Sequence, residues 1–134
     1  MGNMTANFSD WEFACTGKCN PACLASSMSE EFVEKLQALR DLVGRSIKIN
    51  SGIRCSYYNA TISGAAQHSW HIPRDGICCA SDIRTSPTRE DVLALYAAAD
   101  YLGFRGIGLY EGRIHVDMRP TQRVRWVDKS WSWS

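Results

Sequence analysis

His71, Asp82 and His115 are the residues whose types and spacing could do chemistry. They lie in the strings "QHSWHIPRDGICCASDI" and "GIGLYEGRIHVDMR". Two imidazoles and one carboxylate can hold zinc and leave a fourth position open for water. Closed four-ligand sites build structure, whereas an open site lowers the pKa of bound water and polarises a carbonyl. A scattered His/Asp set is not by itself a site, because unrelated histidines and a surface aspartate give the same letters. The chain has three histidines, and this reading uses two of them. The third, His68, reads as a surface or supporting imidazole. Ligands spaced three apart need a helix, which its Gly/Ser-flanked segment does not promise.

Positioning these groups requires regular elements on either side of them. Ser27 with Glu30 resembles a capping box, and Phe32, Leu36, Leu39, Leu42 and Val43 then recur at helical spacing up to Gly44. "SIKIN" at 46–50 alternates like a short strand, and 57–70 reads as a loop with one helical turn. "CCASDIR" reads as a second strand. Thr88, with Asp91 three residues on, opens a second helix that Gly103 closes. "GIGLYEGRIHVDM" reads as a hairpin turning at Glu111-Gly112. On its second strand Ile114 and Val116 face one side, while Arg113, His115 and Asp117 face the other. "VRWV" adds one more strand. Helices on a small, mostly antiparallel sheet make an α+β fold.

The whole chain limits what else it can be. At 134 residues it is one domain with one hydrophobic core. Residues 1–26 read as an irregular, Cys-rich N-terminal wrap, and 128–134 as a frayed aromatic tail. A net charge of +1 gives no case for capture of nucleic acid or of an anionic membrane. No apolar run approaches the roughly 20 residues that span a bilayer, and "MGNMTANFSDWEF" shows no secretory signal. Thiols are therefore expected to be reduced, although spacing alone assigns no pairing to the six cysteines. A second, structural metal at Cys15, Cys19 and Cys23 has no matching second ligand pair. Cys78 and Cys79 read as buried structural thiols or a disulfide rather than as ligands.

Several strings occur here in an order that resembles the zinc D-Ala-D-Ala carboxypeptidase family, within the Hedgehog/DD-peptidase fold group and its short phage and bacterial branch. They are "NFSDWEFAC", "LQALRDLVGRSIKINSGIRCSYYN", "GAAQHSWH", "ASDIR", "GFRGIGLY" and "IHVDMR". The resemblance covers about residues 7–127. It implies zinc on His71, Asp82 and His115. It also implies that Arg54 of "SGIRC", where Ile53 replaces the usual tyrosine, holds a substrate carboxylate or carbonyl. Relatives carry a general base a few residues ahead of the last ligand, and Glu111 is the only such residue here. Its plain reading is a Glu-Gly turn, and Tyr110 is the alternative as a polarising hydroxyl. Asp117 reads either as a partner that orients an imidazole or as a salt bridge to Arg84, Arg113 or Arg119. Trp126, Trp131 and Trp133 read as packing or tail residues before sugar-stacking ones.

One departure stands out. His71 and Asp82 are eleven residues apart, against seven in the family, so four extra residues fall within "IPRDGICC". The insertion puts the rim of the site in question, although loop closure is cheap enough for both ends to meet a metal. Asp75, seven before Asp82, is a coincidence of spacing. The implied activity is hydrolysis of amide bonds in peptidoglycan stems or crosslinks, by a carboxypeptidase or an endolysin-type endopeptidase. Such an enzyme would be made in the cytoplasm and act at the bacterial wall, in phage lysis or on the virion. The rival reading is a non-catalytic, zinc-containing module that binds peptidoglycan or serves as a phage structural part.

Overall fold

A computed structural model describes residues 2–17, 26–62, 65–66, 68–86 and 88–131. Its main body is a five-stranded sheet with spatial order β2-β4-β6-β5-β7. The strands are β2 (Lys48–Ser51), β4 (Ala80–Arg84), β5 (Gly106–Tyr110), β6 (Arg113–Asp117) and β7 (Val124–Val127). All pairs are antiparallel except β5 with β7. The short strands β1 (Ser27–Met28) and β3 (Ile77–Cys78) form a separate parallel pair. The helices are α1 (Glu30–Val43), α2 (Ser56–Thr61) and α3 (Arg89–Leu102), so the α+β expectation holds.

The register sorts the sheet into two faces. Ile83, Ile107, Leu109, Ile114 and Val116 alternate onto one face and are buried. Asp82, Tyr110, Arg113, His115, Asp117 and Trp126 take the other, as period-two geometry requires. The core contains Phe32, Val33, Leu36 and Leu39 of α1 with Val92, Leu95 and Ala99 of α3. Phe32 meets Phe104 edge to face, with ring centroids 5.9 Å apart. Each such fully buried side chain contributes about 1.5–3 kcal/mol. Gly44 and Gly103 end the two long helices at φ values of 72° and 87°, which a side chain rarely tolerates.

Four local expectations are corrected. Ser29, not Ser27, caps α1, its hydroxyl accepting from the Phe32 N–H. Ser27 and Met28 are instead extended, because Gly76 and Cys78 offer carbonyls to the N–H groups of Ser27 and Ser29. "CCASDIR" is two strands rather than one. Cys78 pairs towards β1, and the carbonyl of Cys79 turns to accept from Met118. The turn expected within 57–70 is the helix α2, which starts earlier, on Cys55, whose sulfur accepts from the Tyr58 N–H. The tail does not fray at Asp128. The Asp128 N–H donates to Leu109, and Trp131 is buried.

Within residues 2–17 a 3-10 turn (Asp10–Phe13) buries Phe13 beside Phe8. Gln37 of α1 holds the wrap through Thr5 and Asn7. Cys19, Cys23 and Trp133 lie outside the described residues. Among the described residues, no helix is long and apolar enough to cross a membrane.

Candidate metal centre

Asp82 and His115 stand directly opposite each other on β4 and β6, which brings them together by register alone. His71 comes from the loop before β3. Its Nε2 lies 3.2 Å from Asp82 Oδ1 and 3.2 Å from His115 Nδ1, and the third side, His115 Nδ1 to Asp82 Oδ1, is 3.1 Å. All three residues are buried. A tetrahedron with bonds near 2.0–2.1 Å has edges of about 3.3 Å, so the triangle has the size of one zinc face.

Proton bookkeeping supports the fit. His71 Nδ1 sits 2.7 Å from the carbonyl oxygen of Gly52, which can only accept, so Nδ1 carries the proton. His115 Nε2 lies 2.7 Å from Asp117 Oδ2 and likewise donates. In the neutral tautomers both remaining nitrogens present lone pairs, and Asp82 adds a carboxylate oxygen. Three electron pairs would then face a cation, which would take the place of the proton that His115 otherwise gains beside Asp82 and Asp117. Thus the expected ligand residues converge, and among the described residues they form the one His/Cys/Asp/Glu group spaced for a metal.

The surrounding charges act in the same direction. Burial opposes ionisation of Asp82, but its close pairing with the His115 and His71 imidazoles holds its carboxyl well below the usual range. Asp117 is also held low: burial resists the charge, and His115 and Arg119 overcome it. Burial lowers the pKa of His71. For His115 burial again disfavours the cation, yet the hydrogen bonds with Asp117 and Asp82 outweigh it and raise the pKa. The field of two buried carboxylates therefore favours positive charge at the triangle.

Each carboxylate has its own guanidinium. Arg54 Nη2 donates to Asp82 Oδ2 at 3.0 Å, and its other nitrogens reach Ser51 Oγ and Asn59 Oδ1. Arg119 grips both oxygens of Asp117 through Nε and Nη2. Asp117 therefore plays both roles that its position allowed. It orients His115 and pairs with Arg119, a carboxylate–histidine arrangement that fixes tautomer and ring.

The glycines of "GIG" make room for these groups. A Cβ on Gly106 would stand 2.4 Å from the Asp117 carboxylate, and one on Gly108 would stand 2.3 Å from the Trp126 ring. Trp126 crosses the strand there and packs on His115 with centroids 5.2 Å apart. Glycines alternating within a strand are a sequence sign of such close approach, and reading them that way would have found this trough. Asn59, Arg74 and Gly52 were missed too, because they act only through folded neighbours.

The His71 loop is held by tethers. The Arg54 N–H donates to the His71 carbonyl. Arg74 donates to the carbonyls of His68, Ser69 and Ile72 while its guanidinium stacks 3.8 Å from the Trp70 centroid. Arg74 lies within "IPRDGICC", the stretch that carries the extra length between His71 and Asp82. Arg74 and Ile77 exchange both backbone hydrogen bonds across Asp75-Gly76, each at positive φ, in a two-residue hairpin. This hairpin is thus a clamp behind the ligand loop, and Arg74, Asp75, Gly76 and Ile77 do not line the site cavity. Cys78 lies beneath the loop among carbonyls, including that of His71 at 3.5 Å. Burial pushes its thiol up to about 12, so it is an inert packing thiol, and neither it nor Cys79 is disulfide-bonded.

A cavity of about 470 Å³ opens over the triangle. Arg54, Tyr110 and His68 line it. Glu111 does not. It is exposed on the β5–β6 turn, where its backbone N–H donates to Ser130 Oγ. The turn needs two residues to reverse the chain, and that need places Glu111 away from the face carrying His115.

A buried three-donor centre under an open cleft on an α+β sheet is the site of a metallohydrolase. Residues 6–117 match the family model described as Peptidase M15, and the chain belongs to that family. It is accordingly a metallopeptidase of a zinc-dependent family. No curated protein matches the chain.

Proposed function

We propose that this chain is a zinc peptidase that hydrolyses amide bonds in the peptide part of peptidoglycan, in stems or in crosslinks. It would act at the bacterial cell wall in phage lysis or as part of a virion. The observation that carries the reading is the triangle of His71 Nε2, Asp82 Oδ1 and His115 Nδ1, 3.1–3.2 Å apart, at the floor of a cleft. His71, Asp82 and His115 would hold the zinc. Bound there, zinc supplies an acidified water and polarises the scissile carbonyl.

The chain's own groups do the rest. Asp117 keeps the proton of His115 on Nε2, so Nδ1 stays a donor. Tyr110 accepts the indole N–H of Trp126 at 2.9 Å, which fixes its hydroxyl and leaves its own proton to aim at a developing oxyanion. His68, an imidazole at the cavity wall, is placed to exchange protons with substrate better than Glu111 is. Arg54 lines the cavity but is engaged with Asp82, so its first effect is to fix that ligand's carboxylate.

The test is metal content together with digestion. The purified protein is assayed for zinc per chain and incubated with peptidoglycan, with and without chelator, and the fragments are read by mass spectrometry. Release of D-Ala or of split stems that chelator abolishes supports the peptidase and names the bond. The second reading, a zinc-containing binding or structural module, draws on the exposed place of Glu111. One zinc per chain with no cleavage of any wall type would favour it.

A further inference from the structure

Four cationic side chains line the cavity: Arg54, Arg113, Arg119 and Lys129. Two of them are neutralised locally, Arg54 by Asp82 and Arg119 by Asp117. Arg113 and Lys129 make no ion pair among the described residues, and both are exposed at the cavity rim. The remaining lining carboxylate, Asp128, is held below its ordinary range first by hydrogen bonds from Ser130 and then by the nearby charges of Arg113 and Lys129, without an ion pair to either. Arg113 is nevertheless held. Its guanidinium lies over the Tyr110 ring, 4.2 Å from the centroid, and Tyr110 is itself fixed by Trp126. Stacking orients a guanidinium without using its N–H edge, which stays open for a carboxylate.

We propose that Arg113 and Lys129 form a carboxylate-binding subsite at the end of the cavity built by the β5–β6 turn and the segment after β7. This deepens the peptidase reading and rests on it for the peptide nature of the ligand. Arg113 and His115 share a face two residues apart on β6, about 7 Å along the strand. The carboxylate recognised would therefore lie within one or two residues of the carbonyl presented to the metal centre. It comes either from a peptide C-terminus or from an acidic side chain. The substrate clamp expected of Arg54 passes to two residues that form no ion pair and have only the neighbouring Asp128 charge to share. Open cations at a cleft mouth also raise the local concentration of anionic peptide.

Calorimetric titration of the zinc-loaded protein reads the subsite without requiring turnover. The probes are N-acetyl-L-Lys-D-Ala-D-Ala, the same peptide amidated at its C-terminus, and an amidated peptide with Glu in place of Lys. The expected result is about ten-fold tighter binding of a carboxylate-bearing peptide than of the amidated Lys peptide, the size of one charge-assisted pair. That preference should vanish in R113Q/K129Q, with affinity for the amidated Lys peptide unchanged. Preference for the free C-terminus assigns the subsite to the terminal carboxylate, and preference for the Glu peptide assigns it to a side chain. Equal affinity for all three peptides, no binding of any, or a preference that survives in R113Q/K129Q overturns the proposal. Cleavage is scored separately. Retained carboxylate preference with no cleavage of any peptide or wall preparation removes the peptidase reading and leaves the subsite standing.

Discussion

The metal centre is assembled in two different ways. Asp82 and His115 belong to neighbouring central strands and face each other because of the β4–β6 register. His71 stands on a loop and is placed by the Gly52 carbonyl, the Arg54 backbone and the Arg74 clamp. A ladder fixes side chains as a by-product of sheet formation, whereas a loop needs a tether for each degree of freedom. The strand half should therefore respond steeply to change at its ligands and at the groups packed directly on them. The loop half, held by several separate tethers, should lose less when any one of them is removed.

The largest effect is expected on the strand half. His115→Ala should abolish zinc retention and activity, while circular dichroism shows the fold preserved, since the helices and the opposite sheet face hold the core. Next comes the trough beside it. Gly106→Ala places a methyl against the Asp117 carboxylate, and Asp117→Ala removes that group. Each should weaken zinc affinity by about 10–100-fold, the usual cost of losing a ligand's hydrogen-bond partner, as read by competition with a chelating dye. On the loop half, Arg74→Ala should weaken zinc by a smaller factor, about 3- to 10-fold. If Arg74→Ala matched Gly106→Ala, the distinction between the two halves would fail.

Cys78 tests how tightly the loop is seated. Its thiol should resist iodoacetamide at pH 8 in the native protein and react once the chain is unfolded. The folded pKa is raised from 9.0 to about 12. The unfolded chain thus loses this proton first, and stability should fall as pH rises from about 9 towards 12, measured by urea midpoint. The smallest effect is expected at Glu111. Glu111→Gln should leave turnover within about 3-fold, whereas a loss of about 10²–10⁴-fold would return that residue to the mechanism as a positioned base.

Much of this was legible in the sequence, and the limits have physical causes. The hairpin around Glu111-Gly112, the faces of its second strand and the long helices follow from local periodicity and capping. The three ligand candidates follow from residue type and spacing set beside the resemblance. The start of α1 differs from its sequence reading because Ser27 and Met28 answer to an edge some 50 residues away in sequence, which Ile77 and Cys78 supply. Arg54 lines the cavity, as a substrate-facing residue would, but a sequence does not show that Asp82 also holds it. Asn59, which anchors Arg54 and in turn donates to the Ala66 carbonyl, carries no mark of its own. Glu111 met the spacing of a base, but a turn residue and a cavity residue are not separated by spacing alone.

Gly52 has a consequence for how the protein responds as a whole. It lacks a side chain where Phe13 lies close against it, its neighbour Ile53 donates to the Phe13 carbonyl, and its own carbonyl holds His71. Seating of the N-terminal wrap and occupancy of the metal centre are therefore linked equilibria. Whatever factor seating of the wrap adds to cation affinity, the cation must, by reciprocity, add to seating of the wrap. Protection of residues 2–17 from proteolysis becomes a meter of metal binding, and anything that peels that segment away becomes an antagonist of the site without touching it.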